Sequence, residues 1–153
     1  MERHELLDRY RGGFAAVERA LDGITDDELD RAGPDDGWSA RQVAHHLADS
    51  EARAYVRLRR LIGEDDPMIL GYDEPEYARR LHYERLIESS LGVLGAVRAA
   101  SLELLESLTP DEWERSGTHS ESGRYSVDDW LRIYATHSDD HAAQIREARE
   151  GGR

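Results

Sequence analysis

The chain contains no cysteine. That absence excludes disulfides, thiolate metal sites and a cysteine nucleophile, so any thiol chemistry has to arrive on a small molecule. No apolar run approaches the length of a membrane span or a signal peptide, and the amino terminus, MERHELLDRY, is charged and helix-like. The expectation is a cytoplasmic protein that enters no membrane. Basic runs are missing as well. With 33 acidic and 20 basic side chains the formal net charge is −13, whereas nucleic acid and anionic membrane surfaces recruit Lys/Arg patches. The acidic runs TDDE, PDDG and GEDDP read as solvated helix starts and loops. There is no Walker loop, glycine-rich dinucleotide fingerprint, serine nucleophile elbow or H-E-x-x-H. No segment sustains the period-2 alternation of a half-buried strand.

What is present is apolar residues at helical spacing. Leu6, Leu7, Tyr10, Phe14, Val17 and Leu21 line one face of a first helix, and Val43, Leu47, Ala54, Leu58 and Leu61 line a second that opens at Ser39 and runs to about Ile62. Thr25 with Glu28, and Ser39 with Gln42, have the spacing of capping boxes. Asp73, followed by Pro75 and Glu76, starts a third helical stretch that reaches about Leu108, with a possible break near Ser89–Ser90. Thr109–Pro110 opens a short turn, and Ser126 caps a last helix to about Arg149. GEDDPMILGYDEP and SGTHSESGRY read as loops. Four long helices and no strand predict an all-α four-helix bundle. At 153 residues, one domain over 1–153 is expected; a chain of about 150 residues buries roughly 70% of its unfolded surface and needs no metal merely to fold.

The halves repeat. LDGITDDELDRAG from Leu21 aligns without a gap with LESLTPDEWERSG from Leu105, and each continues through a Gly-containing loop to an aromatic residue and a capping serine, Trp38–Ser39 and Tyr125–Ser126. The bundle is therefore read as two duplicated helical hairpins. In this alignment Ser50 and Ala54 stand opposite His137 and His141, so the second copy carries imidazoles that the fold does not require.

His137 and His141, spaced i,i+4, share one face of the last helix with Trp130, Tyr134, Ile145 and Ala148. Two imidazoles stacked on an apolar face each need a partner in a poorly solvated place, and a metal ion satisfies both at once. A third ligand must come from another helix. On the second helix His46 lies at the flank of the apolar arc and can lean inward, whereas His45 falls on the far side, among Arg41, Gln42 and Asp49. An ordinary hydrogen-bonded flank histidine is the competing reading of His46. His4, His82 and His119 read as surface residues, with His119 in a loop that could reach a site mouth; Trp38 and Trp130 read as packing residues, and Trp113, in the short turn, as either a packing or a substrate-binding residue. Glu51, Asp49 and Asp140 are candidates for orienting a ligand or moving a proton, against a plainer reading as surface carboxylates. Three neutral histidines leave open positions for water or substrate. They suit zinc or nickel, with iron, copper or manganese as alternatives.

GWSARQVAHHLADSE and ESGRYSVDDWLRIYATHSDDHAAQI, together with the duplicated helical plan, resemble the DinB/YfiT-like superfamily over nearly the whole chain. In that resemblance the family's ligand before leucine falls on His46 and its His-x3-His pair on His137 and His141; where some members add a histidine just before the last ligand, this chain has Asp140. The resemblance implies a four-helix bundle, often a homodimer, holding a divalent metal on three histidines. It also implies a small-molecule substrate. The expected reaction is transfer of a low-molecular-weight thiol onto an electrophile. Metal-dependent hydrolysis and a non-catalytic metal-binding stress-response module are the alternatives. No catalytic base is assigned.

Overall fold

The computed structural model describes residues 1–151. Its long helices are α1 (Arg3–Leu21), α3 (Ala40–Gly63), α5 (Glu88–Ser107) and α7 (Val127–Arg149), with short α2 (Asp26–Asp30), α4 (Glu74–Arg80) and α6 (Pro110–Trp113) between them. The expected caps form. Thr25, Ser39, Thr109 and Ser126 each close a capping box with the residue three positions on, so the repeat is as regular in space as in sequence. The α4 N-cap is Asp73, whose side chain accepts from Glu76 N at 3.0 Å. The break before α5 spans residues 81–87 and includes His82 at φ 55°. It does not fall at Ser89–Ser90, because Ser90 already belongs to α5 and turns its hydroxyl to His45.

The four-helix bundle is present, with a topology the helical periods do not reveal. α1 packs against α7 and α5, and α3 packs against α5 and α7. The two long helices of each repeat therefore face each other across the diagonal, and the halves interlock. Arg3 pairs with Asp128 near the starts of α1 and α7, while Arg149 Nη1 donates to Asp22 O near their ends, so these two helices run parallel. His45 with Ser90 and Arg59 with Ser101 make α3 and α5 parallel too. Trp130 Nε1, near the start of α7, bonds Ala54 O in the later part of α3 at 2.9 Å, while His141 farther along α7 meets His46 near the start of α3, so α7 runs antiparallel to α3. Parallel neighbours cannot be joined by a tight turn, which explains the long connection from α3 to α5.

The expectation of no strand is corrected. Met68–Ile69 (β1), Ser116–His119 (β2) and Gly123–Ser126 (β3) form a small sheet, β1 parallel to β2 with Met68 opposite Thr118, and β2 antiparallel to β3. Strands of two to four residues are too short for alternation to register, and each of the two expected loops supplies the other's hydrogen-bonding edge. Gly117 is required there: a Cβ at this position would lie 2.4 Å from Pro67 O.

The core has two apolar clusters, one around Leu58, Leu61, Trp130 and Leu131 and one around Val17, Val43, Leu47, Leu94 and Ile145. Between them the interior is polar, and that polar layer is the site. None of the helices is long and apolar enough to cross a membrane, among the described residues.

Candidate metal centre

The antiparallel pairing of α3 and α7 brings the second turn of α3 against the middle of α7. His46, His137 and His141 each present a ring nitrogen, and the three nitrogens lie within 4.8 Å of one another. The rings pack edge to face, with centroids 4.6 Å apart for His137–His141 and 4.8 Å for His46–His141. His46 is buried at 2% exposure, and Trp38 covers it with ring centroids 5.0 Å apart. The Trp38 ring is thus half-buried against the site and not simply a core residue.

The state of each ring follows from its neighbours. Burial, then the two nearby imidazoles, pushes His46 down to about 3, and burial followed by His137 lowers His141. Both are neutral near pH 7 and keep a lone pair. Glu51 Oε1 lies 3.2 Å from His137 Nδ1, and a carboxylate can only accept, so the proton sits on Nδ1 and the Nε2 lone pair meets only the Ser50 hydroxyl, at 3.5 Å. Gln144 Oε1, 2.7 Å from His141 Nδ1, fixes that ring the same way. An outer acceptor that holds the tautomer and orientation of a histidine is the usual companion of a metal ligand. His46 Nδ1 is buried with no hydrogen-bond partner. Three imidazoles converging with free lone pairs, one of them carrying an orphaned nitrogen, are a donor set that fits a divalent ion.

Glu51 is no surface carboxylate. It is 1% exposed and ion-paired at 2.6 Å with Arg98, itself 3% exposed. Arg98 Nη1 also donates to Tyr134 O and Nη2 to Tyr10 O at 2.7 Å, and its guanidinium lies 3.9 Å from the Tyr10 ring centroid. One guanidinium on α5 therefore ties α1, α3 and α7 together behind His137. Gly13 makes room for it: a Cβ there would sit 2.5 Å from Arg98 Nη2. The sequence carried a signal for Arg98, a lone charge in the apolar run SSLGVLGAVRAASL.

His45 is not solvent-facing. It is fully buried, its Nε2 is 2.9 Å from Arg85 O and its Nδ1 2.7 Å from Ser90 Oγ. A carbonyl only accepts, so Nε2 carries the proton and Nδ1 accepts from the serine; both nitrogens are committed and the ring is no ligand. The helical wheel failed here because α3 is covered on two faces, by α7 on one and by the connection into α5 on the other. The same cover buries Arg41, which pairs with Asp30 at 2.7 Å. Asp49 accepts from Tyr83 OH at 2.6 Å, away from the imidazoles, and Asp140 is exposed. His4 and His82 are on the surface as expected, and Trp113 and Trp130 are buried.

His137 opens onto a cavity of about 290 Å³ whose lining includes Ser50, Arg57, Tyr72, His119 and Tyr134 and the carboxylates Glu74 and Glu121. His119 does reach this mouth, carried there by β2. Arg57 Nη1 donates to Tyr134 OH at 3.0 Å. The Tyr72 hydroxyl is buried without a partner, and burial raises its pKa to about 12, so it remains a donor at neutral pH. Sequence reasoning missed Tyr72, Gln144 and Arg98; of these, only Arg98 stood out from its surroundings.

The comparisons agree with this architecture. A protein of Oceanobacillus iheyensis under the provisional name metal-dependent hydrolase is 41% identical over 122 residues, spanning 80% of this chain and 71% of its own length. YfiT of Bacillus subtilis, provisionally named in the same way, is 33% identical over 135 residues, covering 87% of this chain and 76% of its own. The solved structure of YfiT, described as a four-helix bundle of unusual topology, superposes with a TM-score of 0.90 at 28% identity over 100% of this chain and 91% of that one. A second four-helix bundle protein, TT2238, gives a TM-score of 0.61 at 25% identity, covering 94% and 97%. The family model for the DinB superfamily matches residues 9–145, which is most of the chain. With the interlocked bundle and a polar layer between its two apolar clusters, this chain belongs to the DinB superfamily.

Proposed function

We propose that the protein is a metal-dependent enzyme that activates a small nucleophile against a small electrophilic substrate, with hydrolysis as its reaction. The observation that carries this is the convergence of three nitrogen donors within 4.8 Å, one of them on His137, which lines a cavity. A structural site is closed by its ligands, whereas this one adjoins space for a reactant, and the His137 side chain is 18% exposed. That favours an enzyme over a metal-stabilised binding module.

His46, His137 and His141 would hold the ion, with Glu51 and Gln144 keeping the latter two rings in register. A divalent ion supplies Lewis-acid activation, bringing the pKa of a bound nucleophile toward neutrality. The rest falls to the chain. Tyr72 offers a hydrogen bond from its unpartnered hydroxyl to an oxygen of the substrate. Arg57, held by Tyr134, places a fixed positive charge on the cavity wall. Ser50 Oγ, 3.5 Å from His137 Nε2, marks the approach to the donors.

A second reading, transfer of a low-molecular-weight thiol, is favoured by the same Arg57 and by its neighbour Arg53, since an anionic thiol cofactor needs a basic wall. The cysteine-free chain would then take its sulfur nucleophile from solution.

The test begins with metal analysis of protein purified without an affinity tag, for the native chain and for His46→Ala, His137→Ala and His141→Ala. Each variant should lose most of the ion while remaining folded. Hydrolysis of an activated ester and consumption of a free thiol by an alkylating electrophile then separate the two reactions. Full metal content in all three variants would overturn the site.

A further inference from the structure

A larger groove, of about 460 Å³, runs along the outer side of α3 beneath β1 and α4, next to the cavity that His137 enters. Val56, Ile69, Leu70, Tyr77 and Leu81 make it mainly apolar, and Val56 and Leu70 are left 52% and 61% exposed. Exposed apolar side chains gathered along one concavity are a candidate binding feature, which the same side chains scattered singly would not be. Its volume falls in the range of about 300–1,000 Å³ typical of small-molecule clefts.

The charges beside it are unusual for this chain. Acidic residues outnumber basic ones 33 to 20, and every basic side chain is an arginine. Arg60, at one end of the groove, is paired with Glu64 at 3.0 Å. Arg53 and Arg57 form no ion pair among the described residues. They donate instead to neutral oxygens, Arg53 to Tyr77 OH and Arg57 to Tyr134 OH and Leu70 O. The Arg53 guanidinium is also stacked 4.2 Å from the Tyr72 ring centroid. Asp49, the one carboxylate lining the groove, is engaged by Tyr83. Two guanidinium groups without an ion-pair partner thus flank an apolar trough, and Arg57 lines both the trough and the His137 cavity, where Glu74 and Glu121 also stand.

We propose that this groove seats the apolar body of a small monoanionic ligand, an alkyl or aryl acid, with Arg57 holding its anionic group at the passage toward His137. An apolar cation would meet like charge at that passage, and a neutral ligand would leave both guanidinium groups without a counter-ion. As a statement about substrate class, this rests on the three-histidine centre being the reactive one.

The experiment is calorimetric titration of chelator-treated, metal-free protein with decanoate and with decanol. Decanoate should bind saturably at a single site and decanol about tenfold more weakly, the ratio expected for losing a charge-assisted hydrogen bond. In Arg57→Gln the affinity for decanoate should fall to that for decanol. Leu70→Asp, at a position too exposed to support the fold, should lose both ligands, and His141→Ala should lose neither. If the histidine variants keep their metal while decanoate binding still follows Arg57 and Leu70, the groove ligand stands and the reactive-centre reading alone fails. Absence of saturable binding, equal affinity for the acid and the alcohol, or undiminished binding in Leu70→Asp would overturn the proposal. So would a dimer in sedimentation that Leu70→Asp dissociates while neither ligand binds, because a second copy of the chain would then fill the groove.

Discussion

Replacing Glu51 by glutamine should damage stability and metal affinity together. In the native protein the carboxylate faces two partners, the Arg98 guanidinium at 2.6 Å and His137 Nδ1 at 3.2 Å, with only 1% of its surface exposed. Removing one charge of a buried pair typically costs about 3–5 kcal/mol, because the other charge is left uncompensated. Here Arg98 would keep Tyr10 O at 2.7 Å, Tyr134 O at 3.3 Å and the face of the Tyr10 ring. That places the cost near the lower end, about 3 kcal/mol. For a domain of this size it corresponds to a fall in Tm of about 6–12 °C at roughly 2–4 °C per kcal/mol. The second effect is on His137. Both contacts fall on Oε1, so a glutamine keeps a neutral acceptor there while the charged partner of His137 Nδ1 is lost. Loss of such an outer partner costs about 10–100-fold in metal affinity. The assays are thermal melting of metal-free protein and competitive metal titration against a chromogenic chelator. Arg98→Met should reproduce the stability loss by stranding Glu51. A Glu51→Gln protein that melts as wild type, or binds metal as tightly as wild type, would refute the reasoning for the pair or for the histidine respectively.

Metal-free protein should lose stability as pH falls from about 6.5, the ordinary histidine value, toward the His46 value of about 3. In that window the unfolded chain takes up a proton that folded His46 refuses, so the slope approaches about 1.4 kcal/mol per pH unit for this one group. His45 and His141, also lowered by burial, act in the same direction. Denaturant melts across pH should give a shallower slope for His46→Gln; an unchanged slope would contradict the assignment. His45→Ala should cost about 2–4 kcal/mol by opening a cavity and stranding its two hydrogen-bond partners, yet leave metal content intact; elemental analysis beside a melt decides this. Gly13→Ala should cost about 1–3 kcal/mol through overlap with Arg98, whereas Gly12→Ala, with nothing within 4 Å of its added Cβ, should gain about 0.5–1 kcal/mol from helix propensity. Equal melts for the two would show that the Arg98 niche is looser than its geometry.

The helices and their starts are written locally. Thr25, Ser39, Thr109 and Ser126 name the caps because the bonds they make span only three residues, and the apolar stripes name the faces because helical spacing repeats within a few turns. The convergence of His46, His137 and His141 was legible for the same reason, two of them by i,i+4 spacing and the third by its place at the flank of a stripe, and the family motif falls on the same three. Properties that depend on which helix lies beside which were not legible. His45 looks outward on an isolated wheel and is buried because α3 is covered on two faces, whereas Glu51 already falls beside the apolar arc and only its partner Arg98 was out of sight. The sheet exists because two loops far apart in sequence supply each other's edges. The parallel α1–α7 and α3–α5 pairs, the Arg98 tie among four helices and the passage at Arg57 all arise from long-range packing. Local sequence fixes period and phase along a helix; the identity of the neighbour across a helix face is a property of the whole chain, and in this protein that neighbour decides which polar groups are stranded, paired or free to meet a ligand.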